Sequence, residues 1–338
     1  MTRDFPDELI AKIIDYSEST AEVAVRRLVC KRWNHLAEPL MFGKEIVIRS
    51  DAGALSLYGH LCRKPHYGKL VKYVHFKERD IENVIREGLL RSAFTPNMEQ
   101  MKGVLSFSYD FFKIMSAIAN ASTTPFDRLQ AIPYPTYPCQ SYDDALIAFK
   151  DTLRQIVLVL DANFDHENGT MINHLMDFKS LVNLTLKGDL TSVILLEEIL
   201  QRCSTLEELT IQLHLRGHVH DKVFVEAWAA PIVNAVNSVK KVTIKDECRS
   251  DQLEYIRLKY PQIQTLVIDV QTPLLTEADN IKRMVEAMIG VPNFNIKLVI
   301  KEEHLIPALG CLLRAGCQFS VKEVDGNRFK IEMTSSSS

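Results

Sequence analysis

Glycine is scarce in this chain, with 13 among 338 residues, and no G-x-x-x-x-G-K-[ST], G-x-G-x-x-G or G-x-S-x-G string occurs. Backbone phosphate cradles and the strained nucleophile elbow are therefore excluded. Neither H-E-x-x-H nor a C-x-x-C pair is present, and the seven cysteines (Cys30, Cys62, Cys139, Cys203, Cys248, Cys311 and Cys317) are odd in number and scattered. That pattern fits buried thiols in a reducing compartment, with no disulfide framework and no zinc site. No uninterrupted apolar run is long enough to span a bilayer. The opening "MTRDFPDEL" puts acids and a proline where a secretory signal needs an apolar core. A basic excess is missing too: the net charge is -3 and the pI about 6.4, which argues against nucleic acid or an acidic membrane surface as partner. The expectation is a soluble protein, cytoplasmic and/or nuclear, with no metal and no cofactor.

What is present begins at "DFPDELIAKIIDY", Asp4 to Tyr16. Pro6, Asp7 and Glu8 suit the first turn of a helix, where a missing N–H costs nothing and acids meet the positive end of the dipole. Leu9, Ile10, Ile13 and Ile14 form one apolar stripe. "STAE" (Ser19 to Glu22) then reads as a capping box. In the segment behind it, Val25, Leu28, Val29, Trp33, Leu36, Ala37 and Leu40 recur at threes and fours, and Pro39 is expected to end that helix. Arg26, Arg27, Lys31 and Arg32 read as a solvated face. So few short helices rarely make a core of their own. Burying four to six large aliphatic side chains is worth roughly 1.5–3 kcal/mol each before ordering costs. The stripe is covered either by a partner protein or by this chain's own larger part.

Pro6-Asp7-Glu8-Leu9-Ile10, Ile13-Ile14, Arg27-Leu28-Val29-Cys30-Lys31-Arg32-Trp33 and Leu36-Ala37 together resemble an F-box over residues 4–42. Phe5 stands where that family usually has leucine, and "YSESTAEVAV" lacks its leucine-rich entry to the middle helix. The resemblance implies docking on the Skp adaptor of a SKP–cullin–F-box ubiquitin ligase. The implied contact residues are Phe5, Pro6, Leu9, Ile10, Ile13, Leu28, Val29 and Trp33.

The rest of the chain repeats. Five segments follow L-x-x-L-x-L, led by Leu153, Leu181, Leu206, Val239 and Ile263, at steps of 28, 25, 33 and 24 residues. Weaker copies are "LVKYVHF", "MKGVLSF" and "PFDRLQAI" upstream, with "NIKLVIK" and "CQFSVKEV" downstream. Between them "SVILLEEILQRC", "DQLEYIRLKY", "NIKRMVEAMIG" and "HLIPALGCLLRAG" are helical in period, with Gly290 and Gly316 as stops. Strand and helix alternating at this spacing predict an α/β class with a right-handed solenoid, parallel strands on the concave face and helices outside. It resembles the irregular leucine-rich repeats found behind an F-box, although Asp161, Asp189, His214, Glu247 and Gln271 replace the usual asparagine or cysteine. The expected organisation is a helical module at 1–45, degenerate first repeats at 46–125, the solenoid at 126–333 and a disordered tail at 334–338.

Strand alternation assigns the other face. If Leu184 and Leu186 point inward, Lys187 points outward, and so do Glu208, Gln212, Lys241, Lys245 and Asp269. These six are the candidate target-binding residues, although solenoid sheets expose polar residues whether or not anything binds. His214, His218 and His220 have loose metal-ligand spacing without a fourth ligand and are expected in a surface loop. "IPYPTYPCQSYDD" (Ile132 to Asp144) is expected to be extended, and "DHENG" (165–169) to be a plain loop. The functional expectation is a non-catalytic substrate receptor. It would hold the Skp adaptor, and through it a cullin, at one end and an unidentified protein target at the other. The alternative is a leucine-rich-repeat scaffold acting outside any ubiquitin ligase. An enzyme would need a pocket of convergent polar groups, toward which only the histidines point.

Overall fold

A computed structural model describes residues 5–77, 81–106, 109–161, 170–270 and 278–334. The chain forms two compact units, 1–154 and 155–338. In the first, three helices, α1 (Asp7–Asp15), α2 (Thr20–Arg26) and α3 (Lys31–Gly43), precede an alternation of strands and helices. The order is β1 (Glu45–Ile48), α4 (Asp51–Arg63), β2 (Tyr73–Phe76), α5 (Asn83–Ala93), β3 (Gln100–Leu105), α6 (Tyr109–Ala121), β4 (Tyr134–Pro135) and α7 (Gln140–Ala148). The four strands are parallel and neighbour one another in sequence order.

The second unit continues the alternation. It runs β5 (Gln155–Leu160), α8 (Thr170–His174), β6 (Asn183–Leu190), α9 (Val193–Leu200), β7 (Glu208–Leu215) and α10 (Lys222–Ile232). Then come β8 (Lys241–Lys245), α11 (Ser250–Lys259), β9 (Thr265–Asp269), α12 (Ala278–Met288), β10 (Asn293–Lys301), α13 (Glu302–Arg314), β11 (Phe319–Asp325) and β12 (Arg328–Thr334). Strands β5 to β10 are parallel and in sequence order, and β12 and β11 close that edge as an antiparallel hairpin. The chain is thus α/β with one parallel and one mixed sheet.

All five L-x-x-L-x-L segments are strands, and their apolar positions are core. Ile156, Leu158, Leu184, Leu186, Leu209, Ile211, Val242, Ile244, Leu266 and Ile268 are all buried. The register stacks them in rows, Leu184 beside Ile156 and Leu209, for example, so each leucine packs against its counterparts on the next strands. The helix stops fall where expected, with Gly290 and Gly316 at φ of 88° and 70°. Two further glycines permit close strand approach. A Cβ on Gly103 or Gly188 would lie 2.2 Å from the Phe76 carbonyl oxygen or 2.0 Å from that of Leu160.

Several expectations are corrected. "CQFSVKEV" forms the outer strand of the antiparallel hairpin, not another parallel repeat. "PFDRLQAI" contributes only an isolated bridge, Ala131 to Gln100. The proline-tyrosine segment is extended only as far as Cys139, which caps α7 from a β conformation, so Gln140 to Asp144 are helical. The segment from Ser19 to Leu40 is two helices, broken between Arg27 and Cys30. Val23 and Ala37 share one cluster, yet on a straight helix fourteen residues would separate them by about 21 Å. The break brings both to α1. Helix α3 also runs through Pro39 to Gly43. So late in the helix the ring forfeits only the bond to His35, and Phe42 beyond it is buried. The "DHENG" segment, Gln271 and residues 335–338 of the expected tail lie outside the described residues.

Candidate functional site

The first surface is built on α1 to α3. Ser19 Oγ accepts from the Glu22 N–H at 3.2 Å, and the Glu22 carboxylate accepts from the Glu18 N–H at 3.1 Å, a capping arrangement shifted by one residue. Ile10, Ile14, Val23 and Ala37 form a buried cluster, with Trp33, Leu36, Leu40 and Met41 packed against it half-buried. The stripe on α1 is therefore divided. Ile10 and Ile14 are 4% and 0% exposed, whereas Leu9 and Ile13 are 44% and 43% exposed. Phe5, Pro6, Leu28 and Val29 are exposed too, as are Tyr16 and Val25. Of the residues expected at a partner contact, Ile10 lies in the buried cluster and Trp33 packs against it half-buried.

The arginines expected to be solvated hold this surface in place. Arg26 donates to the Ile13 carbonyl, and Arg32 to the Asp7 carboxylate and the Phe5 carbonyl, each at 2.6 Å. Arg27 donates to Asn34 Oδ1 at 2.8 Å, across the break between α2 and α3. Glu38 fastens the module to the adjoining elements. Its carboxylate accepts both bonds from Lys64 Nζ, at 2.7 and 2.8 Å, and one from the Tyr67 hydroxyl at 3.1 Å. Burial pushes the Glu38 carboxyl up, but those bonds, with the charges of Lys64 and Arg27, outweigh it and hold the group below its ordinary value. Burial lowers His60 against the pull of Glu38. His60 stacks at 5.4 Å on Phe42, which lies 5.1 Å from Tyr67.

The second surface is the polar face of the larger sheet. Lys187, Glu208, Gln212, Lys241, Lys245 and Asp269 all lie opposite the buried leucines and isoleucines, as alternation predicts. Register sets Glu208 beside Lys241, 3.7 Å apart as an ion pair. It also sets Lys187 beside Gln212 and Lys245 beside Asp269. Between the charged rows runs a threonine row, Thr185, Thr210 and Thr243. Further along, Asp189 accepts from Arg216 at 3.0 Å, and His214 Nδ1 lies 3.2 Å from Glu247.

The helical side holds what periodicity did not reveal. Helix α11 carries buried Ser250, Asp251, Gln252, Glu254 and Lys259. Lys259 Nζ meets Glu197 at 2.7 Å, and the Tyr255 hydroxyl donates to the same carboxylate at 2.6 Å. Arg249 pairs with Asp251 and donates to the carbonyls of Leu215, Gly217 and His218. Arg283 grips Glu254 through two bonds and also reaches the His220 carbonyl. The loop bearing His218 and His220 is thus held by two arginines, and His220 stacks at 4.2 Å on Phe224. The three histidines do not converge: His214 turns to Glu247 on β7's polar side, and no group of three metal-ligating side chains occurs among the described residues. All seven cysteines are free. Among the described residues, no helix is long and apolar enough to cross a membrane. No protein-family model matches this chain, and no curated protein matches it either.

Proposed function

We propose that this chain is a substrate receptor of an SCF-type ubiquitin ligase, docking a Skp adaptor through α1 to α3 and a target protein through its repeats. One observation carries the reading. Phe5, Leu9, Ile13, Leu28 and Val29 stay exposed on a module in which Ile10, Ile14, Val23 and Ala37 have already made a core. Large apolar side chains left in solvent on a folded module mark a protein contact, and these five are positions of the F-box pattern. Ile10 and Trp33 then act from behind, positioning Leu9, Ile13, Leu28 and Val29.

In this reading the sequence-ordered parallel strands are the turns of an irregular leucine-rich-repeat solenoid. Lys187, Glu208, Gln212, Lys241, Lys245 and Asp269 form the target-facing strip. The chain makes no bonds. It raises the effective concentration of a target lysine near the ubiquitin-charged enzyme, which is catalysis by proximity supplied in trans. Both contacts belong in the cytoplasm or nucleus, where the adaptor and cullin are found.

Mixing the chain with a Skp adaptor and a cullin, followed by size-exclusion chromatography, tests the assignment. A stoichiometric ternary complex is expected. An adaptor complex from which cullin is excluded leaves a scaffold acting outside the ligase, and no adaptor complex at all refutes the reading.

A further inference from the structure

Helices α10 to α13 form a row in which each packs on the next. In such arrays the terminal element needs a polar outer face to remain soluble alone. Helix α13 departs from this. Its inner side buries Ala308, Cys311 and Leu312, while Ile306 and Leu313 on the opposite side are 81% and 67% exposed. Gly310 lies between them on that outer side, and a Cβ added there would meet no atom within 4 Å. The outer face is therefore an apolar ridge interrupted by a notch. Its ends carry opposite charge, with Glu302 and Glu303 in the first turn and Arg314 in the last.

We propose that this face binds a second copy of the chain, α13 against α13, antiparallel about a two-fold axis at the level of Ala308. A surface acidic at one end, basic at the other and apolar between is complementary to itself when reversed, as an isologous contact requires. Reversal sets Ile306 of each copy over the notch at Gly310 of the other, and Glu302 level with the other copy's Arg314. The opposed helix dipoles add to the attraction. One pair of helix faces lies at the small end of specific interfaces, below about 1,200 Å², so association in the micromolar range is expected. This inference does not depend on the receptor reading.

Sedimentation velocity of the full chain, from about 1 to about 300 μM to bracket a weak interface, tests it. The mass is expected to rise from 38.5 kDa toward twice that value. Ile306→Glu is expected to abolish the rise while leaving the circular dichroism melt unchanged, since the side chain it replaces is in solvent. Arg314→Glu should weaken association about tenfold, because it sets acid against acid, and Arg314→Glu with Glu302→Arg should restore it. A monomer at every concentration overturns the proposal and leaves the face to a different partner. So does a dimer indifferent to Ile306→Glu, or a charge swap that fails to restore association.

Discussion

Replacing Glu197 by Gln removes one charge from a site that water does not reach. Lys259 and Glu197 expose 1% and 3% of their side chains and meet at 2.7 Å. The substitution preserves shape and an acceptor for Tyr255, but leaves the ammonium without a counter-charge. Breaking a buried pair in this way costs about 3–5 kcal/mol. Removing the whole polar set should cost far less, since apolar groups of similar volume often replace buried pairs without loss. Glu197→Leu with Lys259→Met still orphans the Tyr255 hydroxyl, worth about 1–3 kcal/mol. Adding Tyr255→Phe should return stability to within about 1 kcal/mol of wild type. The two tryptophans suit the assay, because Trp33 lies in the first unit and Trp228 in the second, with its ring 5.8 Å from Tyr255. Urea titrations of these variants in a Trp33→Phe background, followed by fluorescence, report on the second unit. A loss below about 1 kcal/mol for Glu197→Gln, or a triple variant as unstable as the single one, refutes the reasoning.

Two further substitutions probe the frame. Burial and the neighbouring Asp144 push Asp143 up to about 6 from 3.8, so the folded chain holds that proton more tightly than the unfolded one. Ionised Asp143 therefore destabilises the fold above about pH 6, and the penalty fades as pH falls toward 4. Asp143→Asn should be more stable than wild type by up to about 3 kcal/mol at pH 7 and hardly better near pH 4, as thermal melts at both values will show. Gly188→Ala places a methyl 2.0 Å from the Leu160 carbonyl oxygen at a φ of 111°. It should cost at least about 2 kcal/mol in urea, whereas Gly310→Ala, in open space, should not destabilise.

The strands were legible because each leucine or isoleucine of L-x-x-L-x-L has a period-2 neighbour, and that alternation is a local property. The hairpin at β11 and β12 was legible too in principle, since Gly326-Asn327, the two residues between the Asp325 and Arg328 pair, is a two-residue turn signal between alternating segments. Helix α10 is announced by Asp221, whose carboxylate caps Phe224 N–H at 2.7 Å. Helix α11 is different. "SDQLEYIRLK" reads as a helix with one wet face, yet the partners of Glu254 and Lys259 are Arg283 and Glu197, on other helices. No local window contains those pairings. The same holds for α1: periodicity finds the stripe, and only the fold of α2 and α3 over Ile10 and Ile14 decides which half stays in solvent.

Calorimetric titration of the chain with a purified Skp adaptor probes that division of the stripe. Wild type should bind with one-to-one stoichiometry. Leu9→Glu with Leu28→Glu, both on the exposed half, should abolish binding while leaving the near-ultraviolet dichroism of Trp33 and the thermal melt intact. Undiminished binding by that variant, or no heat of binding from the wild type, contradicts the account.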